Sequence, residues 1–508
     1  MVVSAFEQSL GVLLAKFGIN APDVRIQGLT LDSREVTPKL AFVAVNGHSQ
    51  DGRAFIPQAI SLGAKAILAQ TEKVREHGRM EMRGNTIIVH LYELRDILSS
   101  LAGAFYDYPG TKMRSIAVTG TNGKTSVVQM LSQLTTRSGT RCGAVGTLGA
   151  GIYLGENTKW DATPGGNTTP DAIRMQYILA EFVQQSARQV AFEASSHALV
   201  QGRLSQVKTD IVVFTNLSRD HLDYHVTMDE YARAKRQAMT LPGVKIIVVN
   251  HDDKEGLNWH RNKPDGVETV WFGLQSLPAE LSEHRHCLAT NVEYHPGGCQ
   301  FTLTTSWGSR NVNVPVLGAF NVQNLLAVIA VMLVQGLRFE DVLSLLPVVK
   351  PVPGRMEVFQ FENHANVIVD YAHTPDALEK ALSSVRAHTN GDVWCIFGCG
   401  GDRDKGKRPL MGSAAEAGAD HLVITTDNSR SESPVAIAAD IRAGLTSSTV
   451  AVDEPDRETA IRYCLNKAAP GDLILVAGKG HEDYQIIGDQ NNNYNERAVV
   501  ARLQREYS

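Results

Sequence analysis

Short apolar runs alternate with amphipathic stretches along the chain, a pattern that predicts strands interleaved with helices. In the first hundred residues Leu40–Val45, Ala66–Ala69 and Ile87–His90 predict strands, and Ile56–Leu62 predicts a helix. Further on, Ile116–Val118 predicts a strand and Val127–Leu134 a helix behind it. A helix is expected from near Asp171, strands at Gln189–Phe192, Ile211–Phe214 and Lys245–Asn250, and a helix at Met228–Lys235. Gly318–Asn324 opens an apolar helix running from Leu325, with Asn321 and Asn324 three apart on one face. Val348–Gly354, rich in valine and proline, reads as a linker. Beyond it, Val367–Asp370, Val393–Phe397, His421–Thr425 and Asp472–Val476 predict strands, with a helix at Asp376–Arg386. The expected fold is α/β in three domains. Residues 1–108 form a small N-terminal α/β domain, 109–347 a central P-loop parallel-sheet domain, and 348–508 a C-terminal Rossmann-like, doubly wound domain.

Length changes this picture only by supporting it, since 508 residues exceed one ordinary core. A net charge of −5 without a long single-sign run implies no nucleic-acid partner. The longest purely apolar run, Leu325–Val334, is too short to span a bilayer, and Met1–Ser4 lacks the basic start of a signal peptide. Six scattered cysteines suggest reduced thiols, so a cytoplasmic location is expected. Cys395 and Cys399 have no second Cys/His pair nearby and do not suggest zinc.

The candidate chemistry starts at Gly120-Thr121-Asn122-Gly123-Lys124-Thr125-Ser126, between a strand and a helix. That is the context of a phosphate loop. Glycines let backbone N–H groups turn toward an anion, the helix adds its positive end, Lys124 suits phosphates and the Thr125 hydroxyl suits Mg²⁺. Thr119 stands where the usual pattern has its first glycine, so the loop is a shortened variant. Two other strands end in polar clusters, Glu193-Ala194-Ser195-Ser196-His197 and Thr215 to His225, which suits a magnesium nucleotide at the carboxyl edge of a sheet. Asn262-Lys263-Pro264-Asp265 matches a guanine-specificity pattern but follows a polar stretch, and reads as a surface loop. Four C-terminal strands also end in polar loops: Tyr371–Pro375, Gly398–Asp404, Thr426–Glu432 and Gly478–Tyr484.

Taken together, Gly-Thr-Asn-Gly-Lys-Thr, Glu-Ala-Ser-Ser-His, Asn-Leu-Ser-Arg-Asp-His-Leu-Asp-Tyr-His, Gly-Ala-Phe-Asn-x-x-Asn, Asp-Tyr-Ala-His-x-Pro and Gly-Lys-Gly-His-Glu resemble the Mur ligase family, in its order and over nearly the whole chain. The family builds the peptide stem of the bacterial cell wall. The resemblance implies an ATP- and Mg²⁺-dependent ligase. It would add meso-2,6-diaminopimelate to the D-glutamyl carboxylate of UDP-N-acetylmuramoyl-L-alanyl-D-glutamate, through an acyl phosphate and a tetrahedral intermediate. It further implies roles for single residues. Leu31, Ser33, His48, Ser49 and Gln50 would hold the uridine diphosphate. Asn167, Thr168, Thr169, Ser195, Gln201 and Arg203 would hold the muramoyl-dipeptide. Gly120 to Ser126, Asn321, Arg355 and Asp370 would hold ATP. Thr125, Glu193, His221 and Lys235 would serve the metal, with Lys235 carbamylated; Lys124, Lys235, His221 and Glu193 are the catalytic set. Arg403, Asp427, Asn428, Ser429, Arg430, Gly478 and Glu482 would hold the diaminopimelate. Ser126 replaces a frequent Thr and keeps its hydroxyl; Ser429 replaces the usual proline, which is expected to loosen its turn.

The partners implied are small molecules only, on a monomer with no membrane span, and hinge motion about the linkers is expected. Three rivals stay open: a lysine-adding version of the same ligase, a folylpolyglutamate synthetase-like ligase, and a P-loop switch protein that hydrolyses nucleotide without an amino-acid acceptor.

Overall fold

The computed structural model describes residues 6–47, 50–153, 167–447 and 449–507. The chain divides into two compact units, Met1–Val270 and Trp271–Ser508.

The first unit holds a short antiparallel pairing of Gln8–Ser9 with Arg25–Ile26 and two larger sheets. The N-terminal one runs in the order Gly28–Thr30, Leu40–Ala44, Ala66–Thr71, Thr86–Tyr92 and Met80–Arg83, parallel except for the last. Alternation along these strands buries Ala41, Val43, Leu68 and Val89 against Leu10, Leu13 and Leu14 of helix Leu10–Ala15 and Leu101 of helix Leu98–Phe105. Ile173 and Ala180 of helix Ala172–Gln184 enter the same core, and Gln206 N–H donates to Ser99 Oγ at 3.0 Å. The N-terminal sheet therefore shares a core with helix Ala172–Gln184, which explains why both lie in one compact unit.

The second sheet of this unit has the strand before the phosphate loop, Arg114–Thr119, near its middle. Parallel strands Gln189–Glu193 and Ile211–Phe214 lie on either side, with Cys142–Gly146 and Ile246–Asn250 beyond them. The edge strand Gly149–Ile152 runs antiparallel. The two polar strand ends thus emerge at the same edge as the phosphate loop, as expected of ligand sites in such sheets.

In the second unit, strands His286–His295, Gly298–Thr305 and Gly308–Val314 form an antiparallel meander. Helix Ala319–Val334 starts six residues before the apolar run, so Asn321 and Asn324 lie inside its first two turns. A six-stranded sheet follows in the order Glu357–Phe359, Asn366–Asp370, Leu473–Ala477, Val393–Phe397, His421–Ile424 and Ala451–Asp453, parallel except at the first pair. One face carries Leu378, Leu382, Met411, Ala415, Ile437 and Ile441; the other carries Ile461, Cys464, Leu465, Val500 and Leu503. Helices on both faces of a parallel sheet make it doubly wound.

Asn262–Asp265 follows helix Lys254–Arg261 as a surface loop. All six cysteines are free and buried. Among the described residues no helix is long and apolar enough to cross a membrane.

Candidate active site

The phosphate loop is held open by its two glycines. Gly120 has φ +149°, and a Cβ there would lie 1.9 Å from Thr215 Oγ1. Gly123 has φ +87° and no side chain to cap helix Lys124–Arg137, which leaves the first N–H groups of that helix uncapped by a side chain. The loop is cross-tied to the strand beside it. Thr215 Oγ1 donates to Asn122 O at 2.6 Å, and Asn216 Oδ1 accepts the Asn122 N–H at 2.9 Å. Thr121 N–H donates to Asn216 O at 2.9 Å, and Ser218 N–H to Thr121 Oγ1 at 3.0 Å.

Two ammonium groups converge on one carbonyl here. Lys124 Nζ donates to Gly120 O at 2.9 Å and to Thr121 O at 2.7 Å. Lys235 Nζ, almost fully buried on helix Met228–Arg236, donates to the same Gly120 O at 2.7 Å and lies 4.2 Å from the Tyr231 ring centre. Burial, and then repulsion by Lys124, hold the Lys235 amine well below the ordinary lysine range, against a smaller pull from Asp220.

On the other flank Thr125 Oγ1 donates to Glu193 Oε1 at 2.9 Å. Glu193 is 1% exposed and also accepts the Thr147 N–H at 2.8 Å. Its position depends on Gly146, where a Cβ would meet Glu193 Oε1 at 2.1 Å. A hydroxyl beside a buried carboxylate is an oxygen set that fits Mg²⁺. His221 has φ +54°, sits 3.4 Å from Asp220, and stands edge-on to His197 at 5.0 Å. Tyr224 and His225 complete this ring cluster: His197 lies 4.1 Å from the Tyr224 ring, and His225 Nε2 is 2.8 Å from Ser196 Oγ. The sequence reading gave no role to His197, His225, Tyr224 or Tyr231, although three of them stand within its quoted Asp-His-Leu-Asp-Tyr-His and Ser-Ser-His runs.

Of the residues expected to hold the muramoyl-dipeptide, all but Asn167 join one network. Thr169 Oγ1 donates to Glu193 O at 2.7 Å and accepts the Ser195 N–H at 3.0 Å. Arg203 donates to Thr169 O at 2.7 Å and to Gln201 Oε1 at 2.6 Å. Thr147 Oγ1 donates to Thr168 Oγ1 at 3.3 Å, while Asn167 is exposed. Asp171 caps helix Ala172–Gln184, accepting the N–H groups of Ile173 and Arg174. In the N-terminal sheet the parallel strands Gly28–Thr30 and Leu40–Ala44 send Leu31–Ser33 and Val45–Gly47 out of one edge. Ser33 Oγ donates to Gln58 Oε1 at 2.9 Å, and Gln50 is exposed. His48 and Ser49 lie outside the described residues.

The second unit contains the remaining candidates. Asn321 Nδ2 donates to Leu317 O at 3.0 Å, and its Oδ1 accepts from Asn324 at 3.3 Å. Asp370 accepts the N–H groups of Met356 and Ala372, both at 2.8 Å. Burial raises its pKa above the ordinary value. Arg355 lies 4.4 Å over the Tyr371 ring, with its buried Nε unpartnered among the described residues. Gly354 and Gly480, both at positive φ, touch backbone to backbone; a Cβ on Gly354 would be 2.2 Å from Gly480 C. Beside them His481 is pushed down to about 4 by burial, then by Arg355, so its imidazole is neutral at pH 7.

Arg430, at φ +50°, donates Nη1 to Gly401 O at 2.8 Å and Asn428 O at 3.3 Å. Its Nε and Nη2 have no protein partner among the described residues. Arg403 is exposed and donates to Asp402 O at 3.1 Å. Ser429 does not loosen the turn. It is fully buried, its Oγ unpartnered among the described residues, and Arg430 N–H to Ile486 O and Gly488 N–H to Arg430 O hold the backbone in place. Nearby, Arg408 is fully buried and grips Glu432 and Asp440. Arg457, paired with the buried Glu496, donates Nη2 to Ala477 O at 2.9 Å, pinning a strand end. Removing one partner of such a pair costs about 3–5 kcal/mol.

Three domain-family models match the sequence: "Mur ligase family, catalytic domain" over residues 25–106, "Mur ligase middle domain" over 118–332, and "Mur ligase, glutamate ligase domain" over 354–480. The chain is 43% identical over 481 residues to the UDP-N-acetylmuramoyl-L-alanyl-D-glutamate–2,6-diaminopimelate ligase of Vibrio vulnificus (strain YJ016), covering 95% of each chain. A solved structure of an enzyme with that same name is 32% identical, with a TM-score of 0.68 over 98% of this chain and 99% of the other. MurF ligase from Thermotoga maritima in complex with ADP shares the fold at 17% identity, with a TM-score of 0.61 over 94% and 96%.

Proposed function

The chain belongs to the Mur ligase family, and from that premise we propose that it joins meso-2,6-diaminopimelate to the D-glutamyl carboxylate of UDP-N-acetylmuramoyl-L-alanyl-D-glutamate. ATP drives the step, which extends the peptide stem of the cell wall. The observation that carries this reading is a convergence at one sheet edge. The phosphate loop, the Thr125–Glu193 pair and the Thr169–Ser195–Arg203 network all meet there, in a chain whose full-length relatives carry that name. The three domains are inferred as residues 1–108, 109–347 and 348–508. The enzyme is read as a cytoplasmic monomer, in keeping with six unpaired buried thiols.

A carboxylate is a poor acyl donor, so one of its oxygens attacks the γ-phosphorus of ATP and ADP leaves. The amine then attacks the acyl phosphate, and phosphate leaves from the tetrahedral intermediate with that same oxygen. The uncapped helix N-terminus and Lys124 stabilise the phosphates, on a loop already cross-tied to Thr215 and Asn216. Lys124 must leave the carbonyls of Gly120 and Thr121 to do so. Thr125, Glu193, His221 and a carbamylated Lys235 are the residues that would hold Mg²⁺, which offsets charge between the two anions. Thr168, Thr169, Ser195, Gln201 and Arg203 orient the dipeptide, Leu31, Ser33, His48, Ser49 and Gln50 the nucleotide sugar, and Asn321, Arg355 and Asp370 the ATP. With the D-glutamyl carboxylate labelled by heavy oxygen, one label is expected in the released phosphate. Unlabelled phosphate would remove the acyl phosphate from the mechanism.

The acceptor rests on Arg430. Its unpartnered Nε–Nη2 edge is a planar fork that suits the distal carboxylate of diaminopimelate, a group that lysine lacks. Sites built on such pairs reject the analogue by roughly 10⁴–10⁵. Arg430→Ala is expected to lose most of that preference, read as kcat/KM on the two amino acids. Efficient use of lysine by the wild type would reassign the acceptor.

A further inference from the structure

Lys479 lies among Asp427, Asn428 and Glu482, three of the residues expected to hold the acceptor. Its side chain is fully buried. The ammonium lies 2.6 Å from Asn428 Oδ1, 3.0 Å from Tyr484 O, 3.1 Å from Asp427 Oδ1 and 3.2 Å from Glu482 Oε2. Four acceptors saturate its three donors. Asn428 is locked in turn, since its Oδ1 also accepts the Ile486 N–H at 2.9 Å and its Nδ2 donates to Glu482 Oε2 at 3.1 Å. Each carboxylate therefore spends one oxygen internally. Asp427 Oδ2 and Glu482 Oε1 have no hydrogen-bond partner among the described residues. Gly478, at φ +113°, keeps the approach to Asp427 Oδ2 clear, because a Cβ there would sit 3.0 Å from that oxygen. The neighbouring Arg457 is balanced by its own partner, Glu496.

We propose that Lys479 is a positioning residue that sets acceptor specificity by cancelling one of the two carboxylates of this pocket. It aims the free oxygen of each carboxylate, and Arg430 balances the charge that is left. The set Asp427, Glu482, Lys479 and Arg430 then sums to zero charge, with separated positive and negative edges, and so complements the zwitterionic distal end of a diamino-dicarboxylate. Without Lys479 it would carry a net negative charge and suit a side chain ending in an ammonium alone.

This inference rests on the acceptor reading above, and the experiment separates the two. Wild type, Lys479→Met, and Lys479→Met combined with Glu482→Gln are compared on diaminopimelate and lysine. Thermal melts and the KM for ATP and for the UDP-linked substrate are followed alongside. The expected result for Lys479→Met is a KM for diaminopimelate raised about tenfold or more and a preference shifted toward lysine, with KM for the other two substrates unchanged. The double variant, which restores charge balance, is expected to recover preference for diaminopimelate. An unchanged preference in folded Lys479→Met overturns the proposal, as does a double variant no better than the single one. If Lys479→Met does not fold, the double variant decides alone: preference for diaminopimelate supports the proposal and its loss overturns it. A wild type that prefers lysine refutes the acceptor reading only. The shift on removing Lys479 must still run toward the cation-ended acceptor, and a shift the other way overturns the role of Lys479.

Discussion

Lys124→Ala is expected to lower turnover by about 10³–10⁵, the range for removing a cation that stabilises a transferring phosphoryl group. The physical reason is local. Asn122 N–H is already committed to Asn216 Oδ1, and Thr121 N–H to Asn216 O, so the loop has fewer free donors than its glycines suggest. The remaining positive charge comes from the helix end, Lys124 and Lys235, and Lys235 is the one whose charge burial suppresses. The substitution itself is mild for the fold. It removes two hydrogen bonds to carbonyls of the same loop, and alanine is a good first-turn residue. The melting temperature should therefore stay close to wild type while steady-state phosphate release falls to background. A variant within tenfold of wild type would mean that the phosphates are held elsewhere.

Lys235→Ala is expected to cost about 10²–10³ in kcat, comparable to losing one preorganised electrostatic group, and to regain part of it in formate or acetate. The motivating observation is the shared carbonyl: two full ammonium charges on Gly120 O, one of them nearly out of water, repel each other. Burial and Lys124 favour the neutral amine of Lys235. A neutral amine adds CO₂ and releases a proton, leaving an anionic carbamate that attracts Lys124 instead of repelling it. The sign of the pH effect follows. With the folded-state pKa below the unfolded one, the unfolded chain binds more protons between the two values. The unmodified enzyme thus loses stability as pH falls through that window and gains it as pH rises. Bicarbonate should raise the melting temperature of wild type and leave Lys235→Ala unchanged. Mass spectrometry under native conditions would show the added CO₂. No bicarbonate effect on either protein, with no rescue by small acids, would leave Lys235 as an unmodified buried lysine.

Much of this was legible in the chain itself. A strand, two glycines, a lysine and a hydroxyl in fixed order specify a phosphate loop, because each residue type meets a backbone or side-chain demand local to that turn. Apolar runs likewise located most of the parallel strands, since a buried strand reads as a short apolar run, but the His286–Val314 meander and helices such as Leu98–Phe105, Lys407–Gly418 and Arg457–Lys467 were not read from the chain. What lies at long sequence separation was decided by tertiary structure. Glu193 reaches Thr125 because Gln189–Glu193 pairs beside Arg114–Thr119, and strand order is a global outcome of packing. The N-terminal sheet shares a compact unit with the phosphate loop because helices Leu98–Phe105 and Ala172–Gln184 share one core. The sequence placed Asn321 and Asn324 at the start of helix Ala319–Val334, and only the packing around that helix shows that both are buried. Ser429 keeps its turn where a loosened one was expected, because backbone bonds to the Tyr484–Ile487 strand region hold it. Lys479 looked like one more polar residue of a glycine-rich loop. Only the fold, by bringing Asp427, Asn428 and Glu482 around it out of water, turns its charge into a determinant of what the pocket accepts.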